Sequence, residues 1–182
     1  MRGKLHSKKG DTPESPFRYT AFRTAKGWVA VLGSKKGLLA VALPHPSKES
    51  ALEELGANMD NAAPDDGFFS DIVSRLRDYF AGEQVSFDDE LDTSHVTPFQ
   101  AKVWQAAQTI SYGQTRSYAW LARQIGKPAA ARAVGQAIGR NRLPVIVPCH
   151  RVIASDGTLG GFTGSLETKK CLLDMEAGSL QR

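Results

Sequence analysis

Two adjacent residues, Cys149 and His150, form the most reactive pairing in this sequence, inside the apolar run Val145-Ile-Val-Pro-Cys-His-Arg-Val-Ile. The thiolate, not the thiol, is the nucleophile, and an imidazole backed by a carboxylate is a common way to bring a cysteine below its free pKa of about 8.5. The run reads as an apolar strand ending at Pro148, which delivers the Cys-His pair to a strand end. Neighbours in an extended segment point to opposite faces, so the His150 ring reaches the Cys149 sulfur only through a turn or a bridging water. The other cysteine, Cys171, stands among Lys169, Lys170, Leu172 and Leu173 on the last helix and reads as a small buried hydrophobe. Two cysteines and four histidines (His6, His45, His95, His150) offer no spaced ligand pair, so no metal is expected. Gly157-Thr-Leu-Gly-Gly-Phe-Thr-Gly lacks the residue order of a phosphate-binding loop and suits one wall of a pocket instead.

The elements that must position this pair lie upstream. Thr97 can cap a helix, Pro98 suits its first position and Gln100 can complete a capping box, after which Phe99, Val103, Trp104, Ala107 and Ile110 make an apolar stripe. A second helix begins at a Ser117 cap, sets Tyr118, Leu121, Ala122 and Ile125 on one face and stops at Gly126. A third opens at Pro128 and runs through the small residues from Ala129 to Ile138. Two helices joined by a glycine-containing turn make a helix-turn-helix, a topology that packs cores as readily as it binds DNA. Arg132 is the single charge between Ala129 and Gly139. It is either a surface solubiliser or the one side chain that reaches past phosphates toward the bases, with small neighbours that let the backbone come close.

The first half reads differently. Phe22, Trp28, Val29, Val31, Leu38, Leu39 and Val41 are broken by Gly27, Gly33-Ser-Lys-Lys and Gly37, the pattern of a meander of short strands. A Glu-rich helix over Glu49 to Leu55 leads to a turn from Asn58 to Gly67. A helix follows with Phe69, Ile72, Val73, Leu76, Tyr79 and Phe80 on one face. The acidic stretch from Ala81 to Asp92 reads as a short extended segment and linker ending near Ser94-His95. The expected organisation is a basic tail over 1–15, a first domain over 16–94 and a second over 95–182.

Composition bounds these readings. With 182 residues, 41% of them hydrophobic and 23% charged, the chain can bury one good core or two small ones. No run approaches the roughly 20 apolar residues of a membrane span, and Met1-Arg-Gly-Lys-Leu-His-Ser-Lys-Lys lacks the apolar stretch of a secretion signal. Two cysteines make a poor disulfide framework, so a reducing, intracellular setting is expected. A formal charge of +4 and a pI near 9.1 lean toward a polyanionic partner without fixing one.

Pro148-Cys-His-Arg-Val, Arg132-Ala-Val-Gly, Asn141 and the glycine-rich loop followed by Leu166 to Glu176 resemble the O6-alkylguanine-DNA alkyltransferase family, the methylated-DNA–protein-cysteine methyltransferases, over roughly Phe68 to Glu176. The resemblance implies an α+β chain with an N-terminal ribonuclease-H-like α/β domain and a C-terminal, mostly helical winged helix-turn-helix domain. It implies direct-reversal DNA repair in which O6-alkylguanine, with O4-alkylthymine as a further candidate, gives its alkyl group to Cys149 irreversibly and once per molecule. No cofactor is implied, because the donor is the DNA itself. The partner would be double-stranded DNA containing O6-alkylguanine, with no membrane and no metal. The chain would be a monomer, with cooperative binding along DNA left open, and would reside in the cytoplasm or, in a eukaryote, the nucleus.

In the roles the resemblance implies, Cys149 accepts the alkyl group, His150 deprotonates it through a water, and Glu176 orients and polarises His150. Asn141 buttresses the turn before Cys149, and Lys169 favours the thiolate. Arg132 fills the space left by a nucleotide rotated out of the duplex, while Tyr118 crowds the phosphate and donates to the guanine ring. Gln100, Lys127, Ala131 and Ser155 meet the DNA backbone, and Ile138, Val152, Phe162 and Thr163 line the base pocket. The sequence departs from many relatives in three places. Arg142-Leu143 follows Asn141 where a Pro is frequent, Phe162 replaces a Tyr, and Gly164-Ser165 stands for Gly-Gly. No cysteine precedes Cys149, so the N-terminal zinc ligands of some relatives are missing.

Three rivals compete with this reading. A transcription regulator would need base-reading side chains, yet Ala129 to Ala133 offers only Arg132. A lesion binder without transfer has no use for Cys149. A cysteine hydrolase built on Cys149, His150 and Glu176 gives no reason for Arg132.

Overall fold

The structure, a computed structural model, describes residues 15–160 and 165–179, so the expected tail lies almost wholly outside the described residues. Strands β1 (Phe17–Thr24), β2 (Gly27–Ser34) and β3 (Gly37–His45) form the antiparallel meander that the glycine spacing predicts. Gly37 opens β3 with φ 131°, and a Cβ there would sit 2.2 Å from the Glu90 carbonyl, so that turn admits no side chain.

Alternation along the strands divides the sheet into two faces. Ala30, Leu32, Ala40 and Ala42 pack on Ala51 and Leu55 of helix α1 (Lys48–Leu55). Val29, Val31 and Val41 face the other way, into a cluster shared with helix α2 (Ser70–Phe80) and the second half of the chain. Because both faces are covered, all residues of β2 from Val29 to Ser34 are buried, which accounts for an apolar run without polar alternation.

Between Asn58 and Gly67, where the sequence predicts only a turn, the chain makes a 3-10 turn (Ala57–Asn61) and strand β4 (Ala62–Pro64). β4 pairs parallel with β1 and completes the order β3-β2-β1-β4. Two alanines and a proline carry no strand propensity, so tertiary pairing alone makes this strand. The acidic stretch that follows stays irregular except at Leu38, whose N–H donates to Glu90 O and whose carbonyl accepts from Asp92 N, both at 2.8 Å.

The second half holds α3 (Pro98–Gln108), β5 (Arg116–Ser117), α4 (Tyr118–Gln124), α5 (Ala131–Gly139), β6 (Val152–Ile153) and α6 (Leu166–Ser179). Both expected caps are present. Thr97 and Gln100 form the reciprocal box, and the Ser117 hydroxyl accepts from Trp120 N. α5 begins later than expected, because Pro128–Ala130 is a 3-10 turn rather than its first turn. Trp104 donates its indole N–H to the Ala137 carbonyl at 3.0 Å and fixes α3 on α5.

The main correction concerns Val145 to Ile153. This run is not a strand. Val145 has φ 74°, Pro144 makes an isolated bridge to Val147, and Cys149–Arg151 is a 3-10 turn leading into the two-residue β6. A side chain supplies what a sheet partner would have supplied. The Asn141 amide donates to Val147 O and accepts from Leu143 N, each at 2.9 Å, and the Val147 N–H closes on Leu143 O at 2.8 Å.

Candidate active site

Cys149 and His150 share one 3-10 turn, Cys149–Arg151, rather than an extended segment. Cys149, His150 and Arg151 are all buried, at 0%, 0% and 6% exposure. His150 Nε2 lies 2.7 Å from Glu176 Oε1, from α6. A carboxylate held as an anion only accepts, so Nε2 carries the ring proton and Nδ1 the lone pair. Nδ1 has no hydrogen-bond partner among the described residues, although it is buried. With Nε2 given to the carboxylate, Nδ1 is the ring nitrogen that can take up a proton.

Glu176 is held from several directions. The Arg151 guanidinium donates to Oε1 at 2.9 Å and to Oε2 at 3.0 Å, the Gly113 backbone N–H donates to Oε2 at 2.9 Å, and the Tyr79 hydroxyl donates to Oε1 at 2.8 Å. Against the cost of burial, its bonds to His150 and Arg151 bring the carboxyl down to about 2. Burial lowers the His150 pKa, opposed by Glu176, so the ring rests neutral at physiological pH.

Cys149 does not meet the expectation of a cysteine held below its free value. Burial pushes the thiol up to about 11, and the hydrogen bond from Asn141 and the Lys169 ammonium only partly offset it. The resting sulfur is a thiol, and its ionisation has to come during the reaction. Cys171, expected as a small buried hydrophobe, is exposed, while Cys149 is fully buried. α6 turns Cys171 outward between its buried residues Lys169 and Leu172.

Lys169 is enclosed, donating to Val152 O at 2.6 Å and to Leu159 O, with its ammonium 5.9 Å from the Tyr118 ring centre. Burial brings it down to about 8, and a negative charge on Cys149 pulls the other way. Tyr118 is half-buried at the start of α4, where burial and then the Cys149 charge raise its pKa, so its hydroxyl stays a proton donor. A Cβ on Gly160 (φ 63°) would lie 2.8 Å from that hydroxyl, so only glycine lets Tyr118 occupy this position.

The remaining candidates divide by exposure. On α5, Val134, Ala137 and Ile138 are buried while Arg132, Ala133 and Gln136 face outward, with Ala131 half-buried. Lys127 is exposed in the preceding turn, 5.8 Å from the Phe99 ring centre, and Ser155 is exposed after β6. Gln100 spends its Oε1 on the Thr97 cap. Ile138 and Val152 belong to the same buried cluster as Cys149. Phe162 and Thr163 lie outside the described residues.

Two residues at the site escaped the reading of the sequence. Arg151 stood inside the motif, and a charge in an apolar run calls for a buried partner, which was a usable signal. Tyr79 gave none, because at its place in an apolar stripe the hydroxyl is indistinguishable from ring packing. Arg142, a departure from the family pattern, has a structural reason. Its guanidinium donates to Leu55 O at the end of α1 at 2.6 Å, and its carbonyl accepts from Val41 N at 2.9 Å.

Comparison with known proteins agrees with this geometry. Residues 17–93 match the family described as 6-O-methylguanine DNA methyltransferase, ribonuclease-like domain. Residues 98–178 match its DNA binding domain. A methylated-DNA–protein-cysteine methyltransferase of Mycobacterium tuberculosis (strain H37Rv) is 54% identical over 113 residues, covering 62% of this chain and 68% of that one. One from Methanosarcina acetivorans is 39% identical over 158 residues, 87% of this chain and 97% of its own. A crystal structure of Mycobacterium tuberculosis OGT in complex with DNA superposes with a TM-score of 0.74 at 41% identity, covering 89% of this chain and 94% of that one. With both halves matched, and with a buried thiol, an imidazole and a clamped carboxylate gathered at their junction, the chain belongs to the 6-O-methylguanine DNA methyltransferase family.

Proposed function

We propose that Cys149 is the alkyl acceptor of this DNA repair methyltransferase, and that O6-alkylguanine in duplex DNA is its substrate. The observation that carries the reading is the buried Glu176–His150 pair, 2.7 Å apart, with His150 in the same 3-10 turn as Cys149 and its Nδ1 left as the ring nitrogen able to accept a proton. In the step we propose, the Cys149 proton passes through a water to His150 Nδ1, and the Sγ electron pair forms a bond to the alkyl carbon. The carbon–O6 bond breaks, and the electron pair left on guanine is stabilised by a proton or hydrogen bond from Tyr118. Glu176 steadies the imidazolium, and the Lys169 ammonium steadies the sulfur until it is alkylated. The product is a thioether, so each molecule acts once.

The lesion must leave the stack to reach a buried sulfur. Arg132, exposed on α5 among small residues, suits the space a rotated nucleotide leaves, and Lys127, Ala131, Ser155 and Gln100 flank it toward the backbone. Ile138 and Val152, with Phe162 and Thr163, make the base pocket in this proposal, and Asn141 keeps the Cys149 turn in place. The chain acts as two units, 16–94 and 95–182, in one monomer. Its relatives in Mycobacterium and Methanosarcina have no nucleus, which supports action in the cytoplasm. Among the described residues, no helix is long and apolar enough to cross a membrane.

The test is intact mass after incubation with duplex DNA holding one O6-methylguanine. One added methyl group is expected, mapped to Cys149 and lost in Cys149→Ala. An unchanged mass, or a methyl group on Cys171, would overturn the proposal.

A further inference from the structure

We infer that Tyr79, contributed by the N-terminal half, is a positioning residue for the transfer: its hydroxyl, acting through Glu176, sets how strongly His150 holds a proton. In the relay proposed above, only the Glu176 anion stands behind His150, and Tyr79 shares the oxygen that His150 uses. Tyr79 is fully buried on α2, donates to Glu176 Oε1 at 2.8 Å and stands 3.3 Å from His150 Nε2. Oε1 therefore serves Tyr79, His150 at 2.7 Å and Arg151 Nη2 at 2.9 Å together.

Packing does not account for the hydroxyl. The Tyr79 ring meets Phe80, Phe87 and Tyr112 edge-on, contacts a phenylalanine would make equally well. A hydroxyl taken this deep costs stability unless it is bonded, and its bond goes to the one carboxylate of the relay. The charged and titratable groups facing His150 are Glu176 and Lys169 from α6, Arg151 from its own turn, and Tyr79 from α2. Those facing Tyr79 are Glu176, Arg151, Tyr112 and His150. Burial and the Glu176 charge keep Tyr79 protonated, so it donates throughout.

An oxygen that accepts from a phenol has less to offer an imidazolium. Tyr79 thus weakens the pull of Glu176 and keeps His150 neutral, able to accept the Cys149 proton at lower pH than it otherwise would. Without the hydroxyl, Oε1 is left to His150 and Arg151, the imidazolium is favoured, and the ring is already protonated where it should act as a base.

The experiment measures the second-order rate of alkyl transfer from free O6-benzylguanine against pH, for the wild-type chain, Tyr79→Phe and Glu176→Gln, with folding checked by near-ultraviolet dichroism. The acid limb of Tyr79→Phe is expected about one pH unit higher, with an alkaline plateau within about threefold of wild type. A limb that stays in place, whatever the plateau, would mean the hydroxyl is structural and overturns the inference, as does a limb moved to lower pH. If Tyr79→Phe does not fold, difluorotyrosine at the same position keeps the shape with a more acidic hydroxyl. It must move the limb down, and an unmoved limb overturns the inference. Glu176→Gln separates the two levels. If it leaves rate and limb unchanged, the relay itself is absent and the inference falls with it. If it alters them while Tyr79→Phe does not, only the inference fails.

Discussion

Glu176 has no exposure to solvent and carries the negative charge that Arg151 and His150 both require. Its carboxyl is held at about 2, against 4.5 for an unperturbed glutamate. A depressed carboxylate adds stability above its unfolded pKa and loses it as pH falls through the folded one. The window is therefore about pH 4.5 down to 2, and 2.5 pKa units correspond to about 3 kcal/mol. Glu176→Gln strands the Arg151 guanidinium, so at pH 7 it should lower the unfolding free energy by about 3 kcal/mol or more. Its stability should also fall less steeply than wild type below pH 4.5. Urea midpoints at a series of pH values check both, and parallel curves would show that the carboxylate is not held as described.

At the scale of elements, α5 separates what it buries from what it offers. Val134, Ala137 and Ile138 hold it to α3 and α4, leaving Arg132 the longest side chain near its exposed start. Arg132→Ala should leave the fold intact and slow repair of duplex DNA by about ten- to a hundredfold, since unstacking a base costs a few kcal/mol. Transfer from free O6-benzylguanine should change by less than about twofold, because nothing there needs extruding. Rate measurements on both substrates decide it, and equal losses would remove Arg132 from the extrusion step. The helix-turn-helix was legible beforehand because caps, Gly126 and apolar spacing are local signals that agree with one another. β4 and the Cys149 turn were not. β4 depends on pairing with β1, far away along the chain, and the Cys149 turn on side-chain hydrogen bonds of Asn141 that leave no mark in the apolar pattern of Val145 to Val147. Asn141, His150 and Glu176 were nameable from the family resemblance, whereas the role of the Tyr79 hydroxyl becomes visible only in its hydrogen bond from α2 to Glu176 on α6.

Across the whole molecule the two halves share one core. Leu76, Tyr79 and Phe80 of α2 cluster with Val103, Trp104, Val134, Ile138 and Leu172 from the second half. Arg142 ties the loop before Cys149 to the end of α1 and to β3. Neither half can open without exposing apolar surface of the other. Native-state hydrogen exchange should therefore find the slowest amides of β2 and of α3 opening with the same free energy and the same denaturant dependence. Exchange of β2 at markedly lower denaturant would show that the first half unfolds separately and does not hold the reactive turn in place.

A sulfur both enclosed and protonated is also protected from side reactions. Peroxides and soft electrophiles diffusing through the cell consume thiolates they can reach, and on this chain the accessible sulfur is that of Cys171. A protein whose reactive group serves only once gains from such shielding, because a long wait between lesions does not inactivate it beforehand.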